Sequence, residues 1–464
     1  MPAAAGGGLP SHITTKPWTG DLDGMIKRRQ IRVLVTYSKT HFFIDRGTQR
    51  GLVYDAFKLF EDELNKELNT GNVKVHVVFL PVSRDEIVAD LLAGKGDIAA
   101  ASLTITPERL AKVDFTDPTI KNVSEIVVTG PGSAPLAAIE DLSGREVYIR
   151  KSSSSYEELE KLNARLAKSG KAPVKVRLAP ETLETEDIFD MINAGLVQAT
   201  IADDFLAGFW KKVLPGLTLN EGAALRTDAN IAWMIRKGSP KLKAALNRFL
   251  ARYPAGSSVR NQLLAKYLKS AKFARSATSE AERAKFRQVI ELFRKYCAQY
   301  DVDYLLVAAQ GYQESRLDQG AKSHVGAIGV MQVMPPTGKE MAVGDISQIE
   351  PNIHAGVKYV RFMMTKYYGD EPMDPLNKGL FTFASYNAGP ARIAQMRKLA
   401  AERGLDKNVW FNNVELVVAE KIGRETVTYV SNIYKYYLAY QMVVAELAER
   451  EKALKAIEGS KPKP

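Results

Sequence analysis

Two kinds of hydrophobic patterning divide this chain, and no single fold class accommodates both. From Ile31 to about Tyr253, short β-branched runs alternate with helical stretches, the signature of an α/β domain. The runs at 31–37, 73–79, 97–102, 125–130, 146–150, 174–178 and 199–203 read as strands, and 51–68, 83–94 and 155–168 as helices between them. Beyond Glu282 the spacing turns helical almost throughout, in 285–300, 304–315, 353–368, 377–388, 391–404 and 425–456. The second half is therefore expected to be all-α or nearly so.

Within the first half, 85–101 and 186–203 echo each other. Each has an acidic start, an amphipathic helix, an Ala-Gly stop and then a strand, which predicts two similar lobes with each helix ended by glycine and fed into a parallel strand. Ligands in such folds lie at strand carboxyl ends, between the lobes. Around Ser257 to Glu282 the text becomes rich in Ser, Ala, Lys and Arg with no strand signal, and the domain boundary is placed there. The expected layout is a tail over 1–25, the α/β domain over 26–256, a linker over 257–282, the helical domain over 283–450 and a tail over 451–464. In that last tail SKPKP and the basic helix around Lys452 to Lys455 read as solvated.

Bulk properties remove several functions. Hydrophobic residues at 45% and charged residues at 25% are globular proportions, and no apolar run reaches the roughly 18 residues that span a bilayer. The Ala/Gly-rich start, Met1 to Pro10, lacks the basic and apolar regions of a signal peptide, which leaves open a leader that has been cut off or a misplaced start, and the sequence is silent about a lipid anchor. A net charge of +11 favours polyanions, but the basic residues form no aromatic-flanked stripe, which makes nucleic acid the weakest partner. Cys297, the only cysteine, sits at helical spacing from Phe286, Val289, Ile290 and Phe293 and reads as a buried structural thiol. Five scattered histidines with no HExxH pair predict no catalytic metal, and nothing points to a cofactor.

Chemistry concentrates in four segments. Glu314 ends an apolar helix carrying Leu305, Leu306, Ala308, Ala309 and Tyr312, so its carboxyl leaves a greasy element for a cleft, where poor solvation raises its pKa as a general acid requires. The bland alternative is a surface glutamate paired with Arg316. In 326–337 two glycines let backbone approach a sugar, and Gln332 is an amide amid apolar residues that needs a partner. In 385–393, Gly389 and Pro390 stop a helix and present Tyr386 and Asn387, which a plain helix cap also explains. Asp318, one turn on, reads as solvated or loop-capping.

The segments QESRLD (313–318), GAIGVMQVMPPT (326–337), SYNAGPARI (385–393) and TVTYV (426–430) resemble, in order, the signature of the soluble-lytic-transglycosylase family, whose fold is lysozyme-like and α-helical. That resemblance implies that Glu314 protonates the bond between N-acetylmuramic acid and N-acetylglucosamine. It then takes the proton of the muramoyl C6 hydroxyl as a 1,6-anhydro ring closes, the substrate's N-acetyl group helping and no second carboxylate being needed. By the same match, Ser315, Gln332, Tyr386, Asn387 and Tyr429 are expected to position the sugar or tune Glu314.

In the first half, SLTITPERLAKVDFTDP (102–118) resembles the family-3 periplasmic solute-binding proteins, which have a two-lobed α/β fold of the type II binding-protein kind. By that resemblance Arg109 forks onto a ligand α-carboxylate with help from Thr104, and Asp203 receives the ammonium. The serine run at 152–155, with Ser153 and Ser154, opens a helix with hydroxyls and free N–H groups facing one spot, a natural carboxylate site. A surface arginine, an N-cap run and a helix-capping aspartate are the bland readings.

The pairing resembles membrane-bound lytic murein transglycosylases. It implies peptidoglycan glycan strands as substrate, an amino-acid or stem-peptide ligand that modulates activity, a periplasmic location at the outer membrane and peripheral or lipid-anchored membrane association. Three other functions stay open at this point: a hydrolase of the lysozyme type, a catalytically silent periplasmic amino-acid- or peptide-binding protein that docks on the wall, and a transport-system receptor with a helical appendage.

Overall fold

The computed structural model describes residues 16–45, 48–269 and 280–459. In the first lobe α1 (Leu22–Lys27) leads into β1 (Gln30–Val35), the hairpin β2 (Phe43–Asp45) and β3 (Thr48–Arg50), and α2 (Leu52–Glu67). There follow β4 (His76–Pro81), α3 (Ile87–Leu92), β5 (Ile98–Thr104), α4 (Pro107–Leu110) and β6 (Asp114–Phe115). The chain crosses to the second lobe along β7 (Ile120–Thr129). It builds that lobe from β8 (Glu146–Arg150), α5 (Ser154–Lys168), β9 (Lys175–Ala179), α6 (Thr185–Asn193), β10 (Ala199–Asp203) and α7 (Asp204–Lys211). It returns along β11 (Thr218–Ile235) to α8 (Pro240–Arg252).

One seven-stranded sheet threads both lobes in the order β10-β7-β11-β5-β1-β4, with β6 on β11. In the first lobe β1 runs parallel to β4 and β5. The two long strands β7 and β11 pair antiparallel through both lobes, with four register shifts between Asn220 and Ile231 that bend the ribbon where the lobes meet. The domain is thus the two-lobed α/β fold expected of family-3 binding proteins.

Both echoed helices end as predicted: Gly94 and Gly195 take φ +73° and +71°, the left-handed turn that glycine adopts without a Cβ clash. The expectation that each feeds a parallel strand needs one correction. Strand β5 does lie parallel to β1, but β10 pairs antiparallel with β7. The reason is topological, since the chain enters the second lobe on β7 as a crossing strand and β10 has that strand as its neighbour.

After α9 (Ser258–Leu264) the described chain resumes as α10 (Glu280–Tyr300), α11 (Tyr304–Ser315), α12 (Pro335–Met341), α13 (Ile349–Tyr368), α14 (Pro375–Ala388), α15 (Pro390–Glu402), α16 (Glu415–Lys421) and α17 (Arg424–Gly459). Isolated bridges join Ile328 to Lys322 and Val333; the rest of the described second domain is helix, turn and loop. Cys297 is buried and its thiol pKa is pushed up by burial, as a structural thiol's is. The side chain of Phe286, expected on the same stripe, lies outside the described residues, as do the tail segments 1–15 and 460–464 and residues 270–279.

The helical domain docks on the first lobe. One apolar cluster runs from Leu34, Val78 and Leu80 of that lobe's sheet into Leu306, Tyr312, Val430 and Tyr434 of the helices. Edge strand β4 is covered by α17, which shields backbone groups that an open edge exposes. Polar ties lock the register. Arg29 forks onto Glu415 at 2.5 and 3.0 Å, Lys435 reaches both oxygens of Glu61 at 3.2 Å, and the Tyr312 hydroxyl donates to Thr48 Oγ1 at 2.5 Å. Helix α17 continues until Leu454 packs against the second lobe's apolar cluster. The stretch expected as a solvated tail therefore carries an apolar anchor, while Lys452 and Lys455 beside it stay exposed.

Candidate active site

Helix α11 starts on Asp303, whose carboxylate accepts from Leu305 N at 2.9 Å, and it buries Leu306 through Tyr312 without a break. It stops one residue after Glu314 because Arg316 and Leu317 both turn left-handed, at φ +61° each. Glu314 thus sits on the last turn, half-buried, with its carboxyl leaving an apolar core. Burial pushes its pKa up from 4.5 to about 7, although hydrogen bonds from Tyr429 and Gln310 work the other way. No other carboxylate acts on it among the described residues. At neutral pH such a group is close to half protonated and can both give and take a proton.

Tyr429, on α17, donates a short hydrogen bond to Glu314 Oε1. Gln310, one turn before Glu314 and fully buried, donates to the Tyr429 hydroxyl at 3.3 Å. With that amide N–H on its oxygen, the phenol proton is directed at Glu314. Sequence reasoning missed Gln310; a polar amide amid LLVAAQG was the available signal.

The loop between α11 and α12 is fastened by the residues matched to sugar binding. Ser315 Oγ donates to Val330 O at 2.8 Å and accepts from Asp318 N at 3.1 Å. Gln332, at φ +46°, donates to Gly329 O and Ala321 O at 2.9 and 3.2 Å, so the amide has its partners within the loop. Tyr386 donates to Met331 O at 2.9 Å, and burial followed by the nearby Glu314 charge raises its pKa. Asn387 is exposed, with its Oδ1 held by Thr426 Oγ1 at 2.7 Å. Asp318 is exposed and accepts from Gly320 N, the loop-capping part expected of it.

Between the lobes of the first domain, Thr104, Arg109, Ser153, Ser154 and Asp203 line one cavity of about 60 Å³. Arg109 spends two donors on Thr104 O (2.8 Å) and Ser152 O (3.3 Å), the second across the cleft. Ser153 caps α5 through Ser155 N, and Ser154 donates to Glu125 at 2.7 Å. Burial, with Glu125 nearby, pushes Asp203 up to about 7. Sequence reading did not single out Arg84, which forks onto Glu184 at 2.8–3.1 Å in the same cavity, or Lys39, which bridges to Asp190 at 2.7 Å. These pairs join the lobes, so the cleft is held shut by the chain's own charges.

Comparison with known proteins follows the same division. Residues 31–270 match the family model of the bacterial extracellular solute-binding proteins, family 3, and residues 291–409 that of the transglycosylase SLT domain. The chain is 27% identical over 429 residues to the membrane-bound lytic murein transglycosylase F of Desulfosudis oleivorans, covering 88% of this chain and 89% of that protein. To the protein of the same name from Aeromonas salmonicida it is 28% identical over 438 residues, covering 90% and 84%. Among solved structures, an ancestral amino acid-binding protein that is a precursor of cyclohexadienyl dehydratase aligns at 24% identity and a TM-score of 0.44, covering 53% of this chain and 99% of that one.

Proposed function

Because the chain belongs to the bacterial extracellular solute-binding proteins, family 3, and joins to that domain a transglycosylase SLT domain, we propose that Glu314 drives cell-wall cleavage as a lone acid and base. The chain is a lytic murein transglycosylase, a lyase acting on peptidoglycan. The observation that carries the mechanism is a half-buried carboxyl near pKa 7 with a tyrosine on it and, among the described residues, no carboxylate acting on it. Two-carboxylate glycosidases need a second acid about 5–10 Å away.

The steps balance on one proton shuttle. Protonated Glu314 gives its proton to the glycosidic oxygen as the muramoyl C1–O bond breaks, and positive charge builds at C1. The resulting carboxylate, held by the Tyr429 hydroxyl, takes the proton of the C6 hydroxyl while O6 bonds to C1. A 1,6-anhydro ring closes, Glu314 is again protonated and no water is consumed. Ser315, Gln332 and Tyr386 fix the loop that follows Glu314, and in this reading Asn387, which is exposed, contacts the glycan. Digestion of purified peptidoglycan by the wild type and by Glu314→Gln, followed by mass analysis, tests this. Anhydro-muropeptides must come from the wild type alone, and reducing ends from the wild type would favour a water-using hydrolase.

The first domain reads as a regulatory module for an amino acid or short wall peptide, with Arg109, Thr104, Ser153, Ser154 and Asp203 facing the ligand. The support is mechanical. Helix α17 touches Glu314 through Tyr429, the first lobe through Lys435 and the second lobe through Leu454. Relative motion of the lobes therefore loads a helix that carries part of the active site, the differential contact that coupling needs. Turnover and wall binding that both ignore a saturating amino acid or stem peptide would sink this part. The periplasmic face of the outer membrane is the proposed location; no helix among the described residues is long and apolar enough to cross a membrane.

A further inference from the structure

A second cavity, of about 100 Å³, opens between α2, α8 and α9. On α2, Val53, Phe57 and Phe60 form the stripe that fills the core of the first lobe. Leu52, Ala56 and Leu59 form another stripe beside it, at the same helical spacing but only half-buried. Val259, Leu263 and Leu264 of α9 line the same space, and they too stay half-buried. The Ile120–Ile231 pair, where β7 and β11 run between the lobes, supplies another wall.

Apolar faces that meet ordinarily close to interior density, leaving few voids larger than a water. These two leave a gap. Asp55, on α2, takes Lys266 Nζ at 2.7 Å and the Tyr267 hydroxyl at 2.8 Å, which pins the chain that follows α9 at a set distance from α2. Water suits the gap poorly, because an ordered water needs about three polar partners. The polar groups Thr119, His41 and Tyr253 on its walls are engaged already: Thr119 Oγ1 donates to Ile231 O at 3.0 Å, His41 Nδ1 is bonded to Thr40 Oγ1 at 2.9 Å, and the Tyr253 hydroxyl donates to Glu63. An apolar gap of this kind stays dry and takes an apolar guest; one of about 150 Å³ binds benzene.

One lining residue says what the guest carries. Arg260, on α9 between Val259 and Leu263, is half-buried, and among the described residues it makes no hydrogen bond or ion pair. Burial alone lowers its pKa, with no neighbouring charge acting on it. Cations close by in the chain are matched, Arg252 to Glu63 at 2.9 Å and Lys266 to Asp55. An acid-free guanidinium beside an apolar gap fits an aliphatic tail with an anionic head, and a planar fork suits a carboxylate. We propose that this cavity binds a short aliphatic carboxylate, its tail between α2 and α9 and its head on Arg260. His41 and Ser102 line this cavity and the cleft between the lobes alike, so the guest and a cleft ligand share one wall.

Isothermal titration calorimetry of the full chain with sodium acetate, butanoate and hexanoate tests this, with 1-hexanol as the uncharged control. Each added methylene should tighten binding about fourfold, so hexanoate binds about 15-fold tighter than butanoate, and acetate gives no saturable heat. Arg260→Gln should weaken hexanoate about tenfold, as loss of a charge-assisted hydrogen bond does, and leave 1-hexanol unchanged. Ala56→Phe, checked for an unaltered circular dichroism spectrum, fills the gap from α2 and should abolish both. Absence of saturable hexanoate binding overturns the proposal, and so does hexanoate binding that Arg260→Gln leaves at wild-type strength. Binding that persists in folded Ala56→Phe puts the guest elsewhere and overturns it equally.

Discussion

Replacing Glu314 by glutamine should make the protein more stable, and only at neutral to alkaline pH. The folded state holds the carboxyl near pKa 7 against 4.5 when it is free, so between those values the native chain binds more protons than the unfolded one. Stability contributed by this group is then fully present below about pH 4.5 and is lost as pH rises through 7. At 1.36 kcal/mol per unit, the deficit at pH 8 is about 3 kcal/mol, or nearer 2 with allowance for the solvent that still reaches a half-buried side chain. Glutamine keeps the shape and can accept from Tyr429, but it has no charge to desolvate. Urea unfolding of both proteins, followed by a probe in the helical domain, should give curves that nearly coincide at pH 4 and separate by about 2–3 kcal/mol at pH 8. An equal difference at the two pH values would refute the claim that burial strains this carboxylate.

Three further outcomes follow from particular contacts. Tyr429→Phe removes a donor to the carboxylate, worth roughly 1.5–3 kcal/mol, so the alkaline limb of the pH–rate profile should move up by about one to two units. Arg29→Ala strands Glu415, which is fully buried, and should cost about 3–5 kcal/mol and expose the interdomain surface to limited proteolysis. Gly329→Ala asks a side chain to adopt φ +77° and puts its Cβ 2.4 Å from Asn352 Nδ2. It should destabilise by about 1–3 kcal/mol and depress turnover while helical circular dichroism persists.

Local chemistry was legible in the sequence wherever it was written into consecutive residues. All seven expected strands are present within a few residues, both glycine-stopped helices stop where expected, and Glu314 ends its helix. What escaped was set by partners distant in sequence. Strand β11 is the longest and joins the lobes, yet its first half, TLNEGAALRTD, is polar and unalternating because the bent ribbon there is only half covered. The hairpin of β2 and β3 is three residues a side, too short to carry a period, and it matters because Thr48 meets Tyr312. Helix α17 shows 36 residues of helical spacing, but nothing local says that Leu454 finds the second lobe. Likewise Arg109 can be marked as a carboxylate fork from its motif, while the cross-cleft bond to Ser152 and the Arg84–Glu184 pair depend on how the lobes close.

The central claim is that one carboxyl moves one proton and that the nucleophile is the sugar's own C6 hydroxyl. Digestion of peptidoglycan in ¹⁸O-labelled water with mass analysis of the released fragments tests it directly. The wild type should release fragments whose muramoyl ends are anhydro and carry no ¹⁸O, and Glu314→Gln should release none. Labelled reducing ends from the wild type, or unlabelled anhydro ends from the variant at an undiminished rate, would contradict it.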